Sequence, residues 1–256
     1  MDNRQINSDA LDQLKNNPDY YRTSLSLLDK LDATPVPRSE LLRNLFLYMD
    51  RRALSRFLFL NELYQKSISL HGSVFEFGVR YGVNTCLLTS LRGIYEPYNH
   101  NRKIVSFDTF SGFPSTSNAN DGVKAETGQF AVPETYEDHL EEVLMIHEKL
   151  APIDHVKKFE LVKGDVIDTL PEYLKKHQET MISLVYLDFD IFEPTLFALE
   201  QIEPYLVNGA VVAFDEINDK EWPGETVALR KWVGKRGMSV RHSKFKAAGG
   251  YLIYDR

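Results

Sequence analysis

The chain has 256 residues, 43% of them hydrophobic, with 15 Phe and 13 Tyr: enough apolar mass for one large α/β domain, and too much for a disordered chain. A formal charge of −7, with no Lys/Arg-rich stripe to offset it, argues against nucleic acid as a partner. The single cysteine, Cys86, excludes an intramolecular disulfide and a cysteine-based zinc cluster. No apolar run approaches the roughly 18 residues of a membrane span. The opening "MDNRQINSDALDQ" lacks the basic-then-apolar layout of a signal peptide, so a soluble, cytoplasmic protein is expected.

Residues 1 to 70 read as a helical extension. "LLRNLFLYMDRRALSRFLFLNELYQKSISL" repeats apolar residues at three- and four-residue intervals, as one amphipathic helix or a pair would. "TPVPRSE" before it is a turn with a Ser-Glu start of capping type. From "GSVFEFGVR" onward, strands and helices alternate. "SVFEFGV", "RKIVSFD", "KKFELVKGD", "MISLVYLDFD" and "GAVVAFDE" read as five strands, each followed by a helical stretch. A long Gly/Ser/Asn/Pro loop, "TFSGFPSTSNANDG", follows the second. "SVRHSKFKAAGGYLIYDR" holds two last strands around a Gly-Gly turn. Alternation implies right-handed crossovers and a mostly parallel, doubly wound sheet. The link between the last two strands is too short for a crossover, so one of them should run antiparallel.

In open sheets of this kind ligands bind beyond the carboxyl ends of the strands. The first strand ends in "FEFGVRYG", which offers Glu76, Gly78 and Gly82: a turn where backbone can approach a ligand, or simply a tight strand-to-helix connection. The second ends in Asp108, placed to accept hydrogen bonds from ribose hydroxyls, and the third runs into Asp165, placed to accept an adenine amine. Phe107, Phe110 and Phe113 could stack on a base or line the core. The fourth and fifth strands end in "YLDFD" and "FDEIN", so Asp188, Asp190, Asp215 and Glu216 converge if the sheet has the usual order. Such a cluster suits Mg²⁺, or Mn²⁺ or Ca²⁺; the competing account is that Asp188 caps the next helix and the others are solvated.

These motifs together resemble the macrocin O-methyltransferase family over roughly residues 70 to 235: "FEFGVRYGVNT", "SFDTFSGFP", "QFAVPETYEDHLEEVL", "KGDVIDTLPEYL", "YLDFDIFEPTLFALEQIEPYLVNGAVVAFDE" and "ALRKWV". The resemblance implies a seven-stranded Rossmann-like methyltransferase sheet with its last strand antiparallel, over residues 71–256. It further implies S-adenosylmethionine as cofactor and a sugar hydroxyl, on a glycosylated natural product, as acceptor. Glu76, Gly78 and Gly82 would hold the methionine part, Asp108 the ribose and Asp165 the adenine side. Asp188, Asp215 and Glu216 would bind Mg²⁺. The family more usually has Asp-Asp where this chain has Asp215-Glu216, and a small residue where it has Phe189.

On this reading a divalent ion favours the alkoxide of the acceptor, Asp188 is its ligand and the base that takes the proton, and Asp190 stands behind it. Among seven histidines His139 lies nearest a closing loop, and His71 lies at the wrong edge of the sheet. The N-terminal helices and the loop from 114 to 135 could form a lid, with Trp222 in "DEINDKEWPGET" stacking on a sugar or packing beside Pro223. The N-terminal helices could equally form a dimer interface. Two other functions fit parts of the sequence: a metal-dependent glycosyltransferase, from the Asp188-Phe189-Asp190 pattern, and a non-catalytic S-adenosylmethionine binder. A catechol would suit the same metal geometry as a sugar diol.

Overall fold

The computed structural model describes residues 18–234 and 237–255; the helix expected over residues 1–17, and Lys235 and Arg236 of the expected last helix, lie outside them. The chain divides into two compact units between Phe57 and Leu58.

In the first unit, helix α1 (Pro18–Asp32) is followed by α2 (Arg38–Asn44), a 3₁₀ turn (Leu45–Tyr48) and the start of α3 (Arg51–Ser67). The Ser-Glu start expected at "PRSE" falls inside the helix: Pro37 stands at the N-cap, which has no side-chain cap, and α2 starts at Arg38. The break in the long apolar pattern falls at Asp50. Its Oδ1 accepts the N–H groups of Arg52 and Ala53, both at 2.9 Å, and its Oδ2 accepts the Tyr20 hydroxyl at 2.6 Å. One carboxylate therefore starts α3 afresh.

The second unit takes the rest of α3 because Phe59, Leu60, Leu63 and Tyr64 are fully buried there, Phe59 edge-on to Tyr186 at 6.1 Å. The unit boundary thus falls inside a helix, upstream of the residue 70 expected from the sequence pattern. Then come β1 (Ser73–Phe77), α4 (Val83–Tyr95), β2 (Ile104–Asp108), a single turn α5 (Asn118–Asp121), α6 (Tyr136–Lys149), β3 (Phe159–Lys163) and α7 (Val166–Lys176). They are followed by β4 (Ile182–Leu187), α8 (Phe192–Ile202), β5 (Leu206–Phe214), α9 (Gly224–Val233), β6 (Arg241–His242) and β7 (Gly250–Ile253).

The sheet has seven strands in the order β3-β2-β1-β4-β5-β7-β6, all pairings parallel except those of β7 with β5 and β6. This is the doubly wound sheet with one antiparallel strand that the alternation implied. The chain winds outward from β1 through β2 to β3, then returns and winds the other way from β4, so the order reverses between β1 and β4. A crevice opens at such a reversal. Phe75, Phe77, Phe107, Val185, Leu187 and Phe214 belong to one core cluster, which ties β1, β2, β4 and β5 together. Among the described residues no helix is long and apolar enough to cross a membrane.

Candidate active site

Strand register decides which residues share the crevice. Phe77 pairs with Phe107 on one side and Leu187 on the other, and Leu187 pairs with Phe214. The next residue on each strand therefore stands in one row: Asp108, Gly78, Asp188 and Asp215. Backbone bonds carry the ladder one step into that row, from Gly78 N–H to Phe107 O at 3.0 Å, Asp188 N–H to Phe77 O at 2.7 Å, and Asp215 N–H to Leu187 O at 2.9 Å.

The turn after β1 is left-handed at Gly78 (φ 89°), Arg80 (φ 50°) and Gly82 (φ 76°). A Cβ on Gly78 would stand 2.0 Å from the backbone oxygen of Asp188, and one on Gly82 would stand 2.3 Å from Leu140 of α6. Backbone packing therefore requires glycine at 78, whereas at 82 the neighbour is the end of the Leu140 side chain and the left-handed backbone favours glycine. Asp108 holds the turn from the side: Oδ2 accepts Val79 N–H at 2.5 Å and Arg80 N–H at 2.8 Å, and Oδ1 accepts Phe110 N–H at 2.6 Å. Of the roughly four lone-pair positions of a carboxylate, three are taken by backbone. Glu76, next to last in β1, is fully buried, and its Oε2 accepts Thr85 Oγ1 at 2.5 Å and Ser106 Oγ at 2.8 Å. Oε1 has no hydrogen-bond partner, and burial pushes the group up to about 8 despite those two bonds, with the Asp188 and Asp108 charges adding to the rise. Asp165 caps α7 by accepting Ile167 N–H at 3.0 Å through Oδ1.

At the ends of β4 and β5 the four expected carboxylates do gather. Burial and the charges of Asp188, Glu216, Glu225 and Asp215 hold Asp190 well above the usual carboxylate range. Burial, then Asp215 and Asp188, lifts Glu216 to about 8, and its Oε2 is buried without a hydrogen-bond partner. Asp190 does not continue an extended strand, contrary to expectation. β4 ends at Leu187, and Asp190 is left-handed (φ 61°) in a turn closed by Ile191 N–H to Phe189 O at 2.6 Å. Phe189 packs into the core against Phe77 at 5.7 Å, which drives that turn. Asp188 does not cap α8. That helix start is served by Asp121, whose Oδ1 accepts Phe192 N–H at 2.6 Å.

Three residues that sequence reasoning passed over complete the cluster. Glu225, fully buried at the start of α9, accepts Phe189 N–H at 3.1 Å and Asp190 N–H at 3.3 Å on Oε1, and Glu216 N–H at 3.2 Å on Oε2. Burial and the nearby charges of Asp188 and Asp215 raise it well above its ordinary range. Lys246, from the β6–β7 connection, pairs with Asp215, which also accepts the Tyr186 hydroxyl. Asp121 also accepts Ser117 N–H at 2.7 Å, closing its own loop. In sequence Glu225 reads as an ordinary acid in a first helical turn, favoured by the helix dipole, so nothing local marks it.

The donor chemistry is right for both expected guests. Carboxylate oxygens along the row can accept from hydroxyls and amines, and the unpartnered buried oxygen of Glu216 suits a hard cation. Among the described residues, however, no three His, Cys, Asp or Glu side chains are arranged around one point that a metal ion could take. Trp222 packs against Phe130 at 5.8 Å and Phe113 at 6.4 Å, and Lys124 pairs with Glu221 at 2.7 Å. The loop after β2 and the loop after β5 are therefore joined into one wall. Phe107 is core, His139 is exposed beside Tyr136, and Cys86 lies in α4 with its thiol pushed up to about 11 by burial.

Residues 75–217 match the family model described as a methyltransferase domain, more than half of the chain. The crystal structure of CalS11, a calicheamicin methyltransferase, is 40% identical over 94% of this chain and 95% of that one, with a TM-score of 0.90. The apo structure of CalS11, described as a TDP-rhamnose 3′-O-methyltransferase of calicheamicin biosynthesis, is 37% identical over 94% and 96%, with a TM-score of 0.83. The O-methyltransferase NovP, 20% identical over 79% of this chain and 80% of its own, has a TM-score of 0.62 and shares the fold. No curated protein matches the chain.

Proposed function

The chain belongs to the S-adenosylmethionine-dependent methyltransferase family, and we propose that within it the protein methylates a hydroxyl of a sugar carried on a natural product or a nucleotide. The observation that carries this reading is the abutment of Gly78, in the turn after β1, on Asp188, at the end of β4. It puts the acidic end of the acceptor side directly beside the cofactor side. The likeness to CalS11, whose acceptor sugar is named in its description, supports a deoxysugar.

The cofactor supplies an electrophilic methyl group on a positively charged sulfur. Asp108 and Asp165 would accept hydrogen bonds from its ribose and adenine. Gly78 and Gly82 shape the turn against which its methionine part would lie, with Glu76 buried in the strand that leads into that turn. Asp188 would accept a hydrogen bond from the acceptor hydroxyl at a side-chain oxygen and take its proton, while Asn84 Nδ2, 3.5 Å from Asp188 Oδ2, helps hold the carboxylate in place. The aromatic wall of Trp222, Phe113 and Phe130 would cover the sugar's apolar face and exclude water.

Magnesium belongs to this reading through donor chemistry alone. Asp188, Asp215 and Glu216 would hold the ion, which would favour the alkoxide, and Lys246 would have to leave Asp215 to admit it. The test is incubation with S-adenosylmethionine and TDP-rhamnose, with Mg²⁺ and then with a chelator, alongside calorimetric titration of S-adenosylhomocysteine. Binding of S-adenosylhomocysteine with methylation of the sugar is the expected result. Absence of binding in either condition would remove the methyltransferase reading and bring nucleotide-sugar transfer forward.

A further inference from the structure

Arg80 belongs to the cofactor turn by its backbone and to the acceptor wall by its side chain. Its N–H, with that of Val79, is fixed on Asp108 Oδ2, and its φ is 50°. The guanidinium lies over the ring of Phe130 at 4.9 Å and that of Tyr81 at 5.2 Å. Phe130 meets Phe113 at 5.3 Å and Trp222 at 5.8 Å. Contact is therefore continuous from Asp108, through Arg80 and Phe130, to Trp222.

We infer that Arg80 is a positioning residue that aligns the acceptor wall with the cofactor turn, so that occupancy of the cofactor side sets the stance of Trp222. The inference rests on the reading of Asp108 as the ribose acceptor. Three backbone N–H groups already occupy that carboxylate, two of them from the turn. Ribose hydroxyls arriving there share the carboxylate with those donors, so the turn that carries Val79 and Arg80 has to adjust around them. A planar cation stacked on a ring follows its backbone as a unit, and the ring it covers follows with it. Coupling of this kind makes acceptor recognition follow cofactor binding, because a shift of the turn is passed along these contacts to the wall.

The chain has two tryptophans, which makes the motion readable without any acceptor. Trp222 stands in the wall, whereas Trp232 is 5% exposed, donates to Glu203 at 3.0 Å and stacks on Tyr254. Full-length protein is titrated with S-adenosylhomocysteine by calorimetry and by intrinsic fluorescence in parallel. The wild type should show an emission change that tracks binding and disappears in Trp222→Phe. Arg80→Met, which keeps the stem and removes the guanidinium, should still bind S-adenosylhomocysteine in calorimetry and lose the emission change. Phe130→Leu, which breaks the contact from the other side, should do the same. An emission change that persists in either variant overturns the inference, as does binding without any change in the wild type. Loss of binding in Arg80→Met also overturns it, by making Arg80 a direct cofactor ligand. Failure of the wild type to bind at all would show in calorimetry and would remove the cofactor reading together with the inference.

Discussion

Glu225 Oε1 accepts the backbone N–H of Asp190 at 3.3 Å, fastening helix α9 to the turn that follows β4. The other oxygen takes the Glu216 N–H after β5, so one buried carboxylate sets the spacing between two acidic strand ends. Gly224 beside it allows the approach, since a Cβ there would meet Asp190 O at 2.4 Å. Glutamine at 225 accepts on one side only and sets an N–H₂ against a backbone N–H on the other. Glu225→Gln should cost about 1–3 kcal/mol in urea unfolding. Unchanged stability would show that the carboxylate does not bridge the two loops.

Glycine substitutions separate close packing from loop freedom. Gly78→Ala places a Cβ 2.0 Å from Asp188 O at a φ of 89°, so it should lose about 3 kcal/mol or more and weaken S-adenosylhomocysteine binding. Gly128 also has positive φ (80°) but nothing within 4 Å of its Cβ position, so Gly128→Ala should cost only about 1 kcal/mol. Equal losses in the two variants, read by thermal and chemical unfolding, would contradict the packing account.

Asp108→Asn keeps the size of the side chain and removes one acceptor oxygen from a group that serves three backbone N–H donors. Loss of one charge-assisted bond from the turn should weaken S-adenosylhomocysteine binding by about 10-fold or more, equivalent to about 1.4 kcal/mol. Calorimetry reads this directly, and an unaltered Kd would separate the turn from cofactor binding.

Stability should fall as pH rises. Glu76 and Glu216 are each lifted from an ordinary 4.5 to about 8, by burial above all. A carboxyl raised in this way binds its proton more tightly in the folded chain. Its contribution is full below pH 4.5 and is lost as pH rises to about 8. The melting temperature should therefore decline across that window, and Glu76→Gln and Glu216→Gln should each flatten the decline. Melts at a series of pH values in the three proteins check it; a wild-type rise over the window would refute it.

Asp188→Ala separates binding from turnover. Cofactor contacts are assigned to the β1–β3 side and the acceptor to the β4–β5 side, so S-adenosylhomocysteine affinity should hold. Methylation of TDP-rhamnose should fall by about 10²–10⁴-fold, the usual contribution of a positioned base. Parallel loss of both would place Asp188 in the cofactor site.

Sequence alone determined the architecture. In a doubly wound sheet each strand is an apolar run and each crossover an amphipathic helix, so the order of elements is written locally. The rule that ligands meet strand carboxyl ends then picked out Asp108, Asp188, Asp215 and Glu216 before any contact was known. Tertiary structure decided what those residues do with their atoms. Asp108 serves the turn, Glu76 accepts the Ser106 hydroxyl, Asp190 turns back because Phe189 enters the core, and Lys246 meets Asp215 across 31 residues (246 − 215). Glu225 and Asp121 hold backbone N–H groups of distant loops. Such bonds depend on where separate loops end in space, which neither periodicity nor residue type encodes, because a carboxylate in a turn or a first helical turn looks the same in sequence whatever it reaches.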